Sequence, residues 1–332
     1  MSNIDKLEES ALNDLYFELK ARERKHVKDL RTGDKKEFGS AASGGFATRK
    51  EFSGIDTRTL VNVLKSKEKV IYGVDDRKDY YEISTDQDKL NDLDSVVALF
   101  RSSKIVDNGD GTSTLHTQKF GDVHNLCAEE RFRSQPTGAF CSGFLVAGDI
   151  IATAGHCANT SDVSDIRFVF GFKMKDKDNA QTVIKNSEIY KGVSIVGRQY
   201  TDEGTDWSLV KIDRTVNGHR IAKIRRSGRI NDFQAVHVIG HPTGLPVKYA
   251  GGANVRNNQH NEFIVCNLDT YGGNSGSPVF NSDTHVVEGI LVRGDTDFVQ
   301  NDGCYISKVC PSTGCRGEDC TRTTEFEQSV PE

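Results

Sequence analysis

Three short stretches of this 332-residue chain carry side chains that together could perform acyl transfer. The first is Thr153-Ala154-Gly155-His156-Cys157, directly after the apolar run Ile150-Ile151-Ala152. The second is Thr205-Asp206-Trp207, which leads into Ser208-Leu209-Val210-Lys211-Ile212-Asp213. The third is Gly272-Gly273-Asn274-Ser275-Gly276-Ser277-Pro278. A serine hydroxyl is a poor nucleophile at its own pKa and needs an adjacent base. An imidazole can take a proton and return it to a leaving group near neutral pH. Each stretch alone is modest evidence. A histidine after a strand is usually structural, an aspartate before a strand is commonly a turn or cap residue, and Gly-x-Ser-Gly recurs in loops by chance. The combination, in the order His, Asp, Ser, is far more specific.

The surrounding pattern supplies elements able to hold these residues. Short β-like runs alternate with turn signals from Val70 onward: residues 95–100, 139–146, 150–153, 166–170, 207–212, 235–239, 263–265 and 286–292. That spacing predicts an all-β sandwich or barrel. Asp107-Asn108-Gly109-Asp110-Gly111-Thr112 looks like the start of a calcium loop. Its third position is Gly109 and its twelfth is Gln118, so a hairpin turn is the expectation. Ahead of the strands, residues 4–30 read as an amphipathic helix, with Ile4, Leu7, Leu12, Leu15 and Leu19 between charges. Residues 39–45, Gly-Ser-Ala-Ala-Ser-Gly-Gly, read as a flexible linker.

With those runs in place, the three stretches resemble the chymotrypsin-like (trypsin-like) serine proteases. The resemblance covers roughly residues 70–300. It implies two six-stranded antiparallel β-barrels, here behind an N-terminal helical extension. It also implies an endopeptidase in which Ser275 attacks, His156 is the general base, and Asp206 holds the imidazole tautomer. The amides of Gly273 and Ser275 would form the oxyanion hole, with glycine letting the backbone turn. Cys141 and Cys157, at the spacing of the family's staple beside the catalytic histidine, would form a disulfide.

Details lie closest to the glutamyl-endopeptidase (V8-like) branch of bacterial enzymes. Asn274 precedes the nucleophile, Gly240-His241-Pro242 resembles that branch's Gly-Tyr-Pro segment, and Val70-Ile71-Tyr72-Gly73-Val74-Asp75-Asp76-Arg77 resembles its mature N-terminus. The resemblance therefore predicts a zymogen: 1–69 as pro-segment or regulatory extension, cleavage between Lys69 and Val70, 70–310 as protease domain, and 311–332 as a Cys-containing tail. A permanent extension that docks a partner is the alternative. The primary pocket reads two ways. Asp269, six residues before Ser275, favours Lys or Arg by charge pairing. Thr270, five before, matches the V8-like branch, whose later-strand histidine has no counterpart in residues 289–293. Arg293 could bind an acidic side chain or neutralise Asp269.

Composition sets outer bounds. The net charge of −5 argues against a general nucleic-acid binder. No stretch approaches the roughly 18 apolar residues of a membrane helix. The expected partners are protein or peptide substrates, with an activating protease or a regulatory partner for residues 1–69; no cofactor or metal is expected. Eight cysteines suit disulfides and an oxidising compartment, secreted or periplasmic. The charged segment 1–28 has no apolar signal core, which keeps a cytoplasmic location open. Cys304, Cys310, Cys315 and Cys320 read as a C-terminal disulfide knot rather than a zinc site, since tight C-x₂₋₄-C pairs are absent. Cys127 and Cys266 could pair across the barrels. Two other functions compete: a catalytically silent protease-like binding module, and an esterase, which would need the order Ser, Asp, His and a G-x-S-x-G elbow.

Overall fold

A computed structural model describes residues 71–331 apart from 74, 202, 203, 295, 296, 312 and 313. The helical extension, the linker and the Lys69–Val70 bond lie outside the described residues.

Six strands close the first barrel: β1 (Val96–Arg101), β2 (Cys141–Ala147), β3 (Ile150–Thr153), β4 (Ile166–Val169), β5 (Ile189–Tyr200) and β6 (Asp206–Ile212). Their order around the ring is β1-β2-β3-β6-β5-β4, and β4 pairs back onto β1. The second barrel contains β7 (Ala235–Gly240), β8 (Lys248–Asn257), β9 (Phe263–Cys266), β10 (Pro278–Asn281), β11 (Val287–Arg293) and β12 (Glu318–Arg322). It runs β7-β10-β11-β12-β9-β8 and closes through β8 on β7. All these pairings are antiparallel. This is the expected double barrel, and closure leaves no free strand edge in either ring.

The continuous apolar reading of β1 has a physical cause. Successive side chains of a strand point to opposite faces. Val97 and Leu99 enter the barrel core with Phe144, Ile151, Phe168 and Leu209. Ala98 and Phe100 point outward into a second cluster, with Leu115, Phe172 and Ile184. The flap over that face includes the hairpin of Ile105–Asp107 and Thr112–Leu115, so residues 107–112 are indeed a hairpin turn. Each such Val, Leu, Ile or Phe side chain contributes roughly 1.5–3 kcal/mol on burial.

The C-terminal region departs from the sequence reading. Residues 311–332 are not an appended tail, because β12 completes the second barrel between β11 and β9. All five of its residues are buried, yet their sequence is Glu-Asp-Cys-Thr-Arg. The cysteine expectations change with it. Cys127 joins Cys304, and Cys310 joins Cys315. Cys266 does not pair with Cys127, and there is no four-cysteine knot. Cys266 and Cys320 are free buried thiols packed into the second barrel core on neighbouring strands. Burial, and then Cys266 beside it, pushes the Cys320 thiol well up, which makes it inert.

Candidate active site

His156 follows β3 directly, in the turn that strand delivers, and Asp206 opens β6. β3 and β6 are adjacent, with Thr153 opposite Ser208. The Asp206 side chain grips His156 twice: Oδ1 accepts from the His156 backbone N–H at 3.0 Å, and Oδ2 lies 2.7 Å from Nδ1. An ionised carboxylate only accepts hydrogen bonds, so Nδ1 carries the proton and Nε2 is left as the basic nitrogen. Asp206 is 1% exposed. Burial would push its carboxyl up, but the His156 ring, Arg293 and the His156 N–H together hold it below the ordinary value.

Ser275 sits in the loop between β9 and β10. Its carbonyl accepts from the Ser142 N–H at 2.8 Å, and the sulfur of Cys157 lies 3.7 Å away. Cys157 is disulfide-bonded to Cys141, so one bridge links β2, the His156 turn and the Ser275 loop. Two glycines shape that loop. Gly273 has φ +82°, and a Cβ there would meet the backbone nitrogens of Thr243 and Gly244 at 2.9 and 3.0 Å. Gly276 has φ +90°, and its Cβ would lie 2.0 Å from the Ser142 carbonyl oxygen. Only glycine fits either position. Ser142 Oγ donates to the Gly273 carbonyl at 3.0 Å and accepts from the His241 N–H at 2.9 Å, fixing the Gly273 peptide against the His241 loop.

The pocket residues are placed differently from one another. Asp269 is buried, and its carboxylate accepts from the backbone N–H groups of Tyr72 at 2.6 Å and Asp76 at 3.0 Å. It anchors the segment that follows Val70. Arg293 does not neutralise it: the Arg293 Nε donates to Asp319 at 3.2 Å, and Nη2 to the Gly204 carbonyl at 2.7 Å. Thr270 donates from Oγ1 to Glu318 Oε2 at 3.2 Å. Glu318 is completely buried at the start of β12. A Cβ on Gly294, just after β11, would fall 1.9 Å from the same oxygen. The Glu318 carboxylate therefore stands between the two segments that the sequence assigns to the primary pocket, residues 269–275 and the end of β11. Thr321, on the same strand, accepts from the Asp206 N–H at 3.2 Å. Sequence reading missed Glu318, Thr321 and Ser142. For the first two, the only signal was an acidic pair, Glu318-Asp319, after Gly317.

A family model described as the trypsin-like peptidase domain matches residues 141–290, a span that holds His156, Asp206 and Ser275. No curated protein is significantly similar in sequence. Among solved structures, a Glu endopeptidase in complex with MPD is 15% identical, over 79% of this chain and 97% of its own, with a TM-score of 0.45. The Vibrio cholerae VesB protease is 14% identical, over 77% of this chain and 66% of its own, with a TM-score of 0.46. Human heparin binding protein is 12% identical, over 71% and 89%, with a TM-score of 0.44. Residues 141–290 thus match the trypsin-like peptidase domain, and the two six-stranded antiparallel barrels that hold them are the chymotrypsin-like double barrel.

Proposed function

We propose that this chain is a serine endopeptidase working through Ser275, His156 and Asp206, with a preference for Lys or Arg on the acyl side of the cleaved bond. The observation that carries the chemistry is the double contact of Asp206 with His156, which leaves Nε2 as the base. Nε2 takes the Ser275 Oγ proton as Oγ bonds to the substrate carbonyl carbon. The backbone N–H groups of Gly273 and Ser275 hold the oxyanion. As the C–N bond breaks, the imidazolium returns the proton to the departing amine, and water then cleaves the acyl-enzyme by the same route.

The preference for basic residues rests on Glu318. A fully buried carboxylate at the pocket favours a cationic side chain that can pair with it, and repels a carboxylate. Asp269, spent on the Tyr72 and Asp76 amides, is a support for the wall. Arg293, held by Asp319, is poorly placed to receive glutamate, so the glutamate-specific V8-like alternative is the weaker one. Chromogenic peptides ending in Arg, Lys and Glu test this. The Arg and Lys peptides are expected to be cleaved best, and faster cleavage of the Glu peptide would refute it. A fluorophosphonate probe should label the protein but not its Ser275→Ala variant; no labelling of the parent would leave the silent-module reading standing.

The zymogen reading belongs to the same proposal. Ile71 and Tyr72 are buried, pair in parallel with Val309 and Cys310, and bring a peptide N–H to Asp269. The Tyr72 hydroxyl also accepts from the Gly317 N–H at 2.9 Å, beside Glu318. A cut at Lys69–Val70 would release a terminus tied directly to the pocket wall. Lys69 itself suits the proposed preference and permits self-activation, or cleavage by another protease. The three disulfides fit an extracellular or periplasmic setting.

A further inference from the structure

Three metal-ligand side chains meet at one point outside the triad. Asp92 lies on the short helix α1 (Gln87–Leu93), which precedes the first barrel. His237 lies on β7, and His285 in the turn between β10 and β11. One oxygen, Asp92 Oδ2, is 3.0 Å from His237 Nε2 and 2.6 Å from His285 Nδ1. The donor atoms of the three residues all lie within 4.8 Å of one another. Asp92 and His237 are buried, while the His285 side chain is 35% exposed and opens a path to solvent.

We propose that Asp92, His237 and His285 form a binding site for a divalent first-row transition ion such as zinc. Two imidazoles and one carboxylate are the donor set such ions prefer; calcium and magnesium prefer all-oxygen shells. Metal–ligand bonds of about 2.0–2.2 Å in a tetrahedral site separate the donor atoms by roughly 3.4 Å. The Asp92–His237 and Asp92–His285 spacings need to open by about 0.4 and 0.8 Å to admit the ion, and His285 sits at the end of a turn whose residues 283–284 are exposed.

The supporting shell is also present. His237 Nδ1 lies 3.1 Å from Ser282 Oγ, and its ring stacks on Phe280 with centroids 5.2 Å apart. A ligating histidine needs such an outer partner for its second nitrogen. Without the ion, His237 Nε2 and His285 Nδ1 are the protonated nitrogens facing the carboxylate. On binding, each proton moves to the other ring nitrogen: in His237 it turns to Ser282, in His285 to solvent. Two neutral imidazoles and a carboxylate then face the cation, with no net proton released from the rings. The ion would tie the β10–β11 turn of the second barrel to the helix that leads into the first.

The test uses the full chain carrying His156→Ala, which abolishes self-cleavage and removes the imidazole of the triad as a competing ligand. After dialysis against a chelator, zinc is titrated calorimetrically, and cobalt(II) is followed by its visible absorption. One equivalent of tight binding with a tetrahedral cobalt spectrum is expected. Adding His285→Gln should weaken zinc at least tenfold and abolish that spectrum, and Asp92→Asn should do the same. If Asp92→Asn fails to fold, His285→Gln, on its exposed turn, decides the question alone. No tight zinc in the parent, or unchanged affinity in His285→Gln, overturns the proposal.

Discussion

A carboxylate in place of an amide decides which nitrogen of His156 is basic. Asn at position 206 would fill the same space but could present its NH₂ to Nδ1, shifting the imidazole proton to Nε2 and removing the base. Asp206→Asn is therefore expected to lower kcat by about 10⁴-fold while leaving KM nearly unchanged. Steady-state kinetics with a chromogenic peptide check this, and a KM effect of similar size would point to a disrupted fold instead. Glu318 makes the complementary case for specificity. Glu318→Gln keeps the side-chain length and removes the charge, so kcat/KM for Arg and Lys peptides should fall by roughly 10–100-fold, the scale of one charge-assisted pair. An uncharged Phe or Leu peptide should lose little. If all peptides fall equally, Glu318 supports the loop rather than reading the substrate. The proposed triad was readable in sequence because acyl transfer calls for those side-chain types, and their order His, Asp, Ser is the one the chymotrypsin-like resemblance implies. The pocket was not, because a carboxylate six residues before the serine can face either the substrate or the chain's own amides. Only the Tyr72 and Asp76 N–H groups reveal which.

Strand β12 shows where element-level reading ends. Eight apolar runs were legible as strands because they fill barrel cores or lie buried on both faces. β12 carries Glu318 toward Thr270, Asp319 toward Arg293, Cys320 toward the core and Thr321 toward Asp206. Its polar side chains are held by specific partners, so no alternation of apolar and polar residues marks it. β8 was obscured differently, by Gly251 and Gly252 in mid-strand. The cysteine pairing was opaque for a related reason: connectivity follows strand order, and β12 separates Cys320 from the other late cysteines. The observed pairing has a measurable consequence. Cys127–Cys304 spans 177 residues and Cys310–Cys315 only 5. If loop closure in the unfolded chain dominates, the long bridge contributes about 5 kcal/mol and the short one about 2. Urea unfolding of Ser275→Ala protein with each pair changed to serine should show the first loss clearly exceeding the second. The reverse order would mean that the hairpin around Cys310 carries stability by packing.

At the scale of the whole molecule, opposed sets of ionisable groups frame the pH range of stability. Burial, followed by the Asp269 charge, raises Asp76 from 3.8 to about 7, and burial raises Asp269 as well. His219, stacked on Phe170, has Nδ1 2.9 Å from Asp94 and Nε2 2.7 Å from Glu188. Burial works against its charge, but the two carboxylates prevail and raise it above 6.5. A raised value means stability that is full below the unfolded pKa and lost as pH rises through the folded one. Asp76, Asp269 and His219 all act in that sense. Asp206 and Asp94 act oppositely. Burial pushes both up, yet His156 and Arg293 for the first, and His219 with the Arg220 N–H for the second, hold them below 3.8. Their stabilisation is present above that value and lost as pH falls through the lowered one. The Tm of Ser275→Ala protein should therefore be highest near pH 4, falling on the acid side below that and, on the other side, as pH rises from about 4 to about 7. Because Asp76 lies in the segment that follows Val70, its ionisation loosens the anchorage of that segment on the pocket wall. Asp76→Asn should raise Tm at pH 8 and flatten the decline between about pH 4 and 7, with little change below pH 4. A decline of undiminished steepness in Asp76→Asn would assign it to His219 instead, and His219→Gln would then remove it.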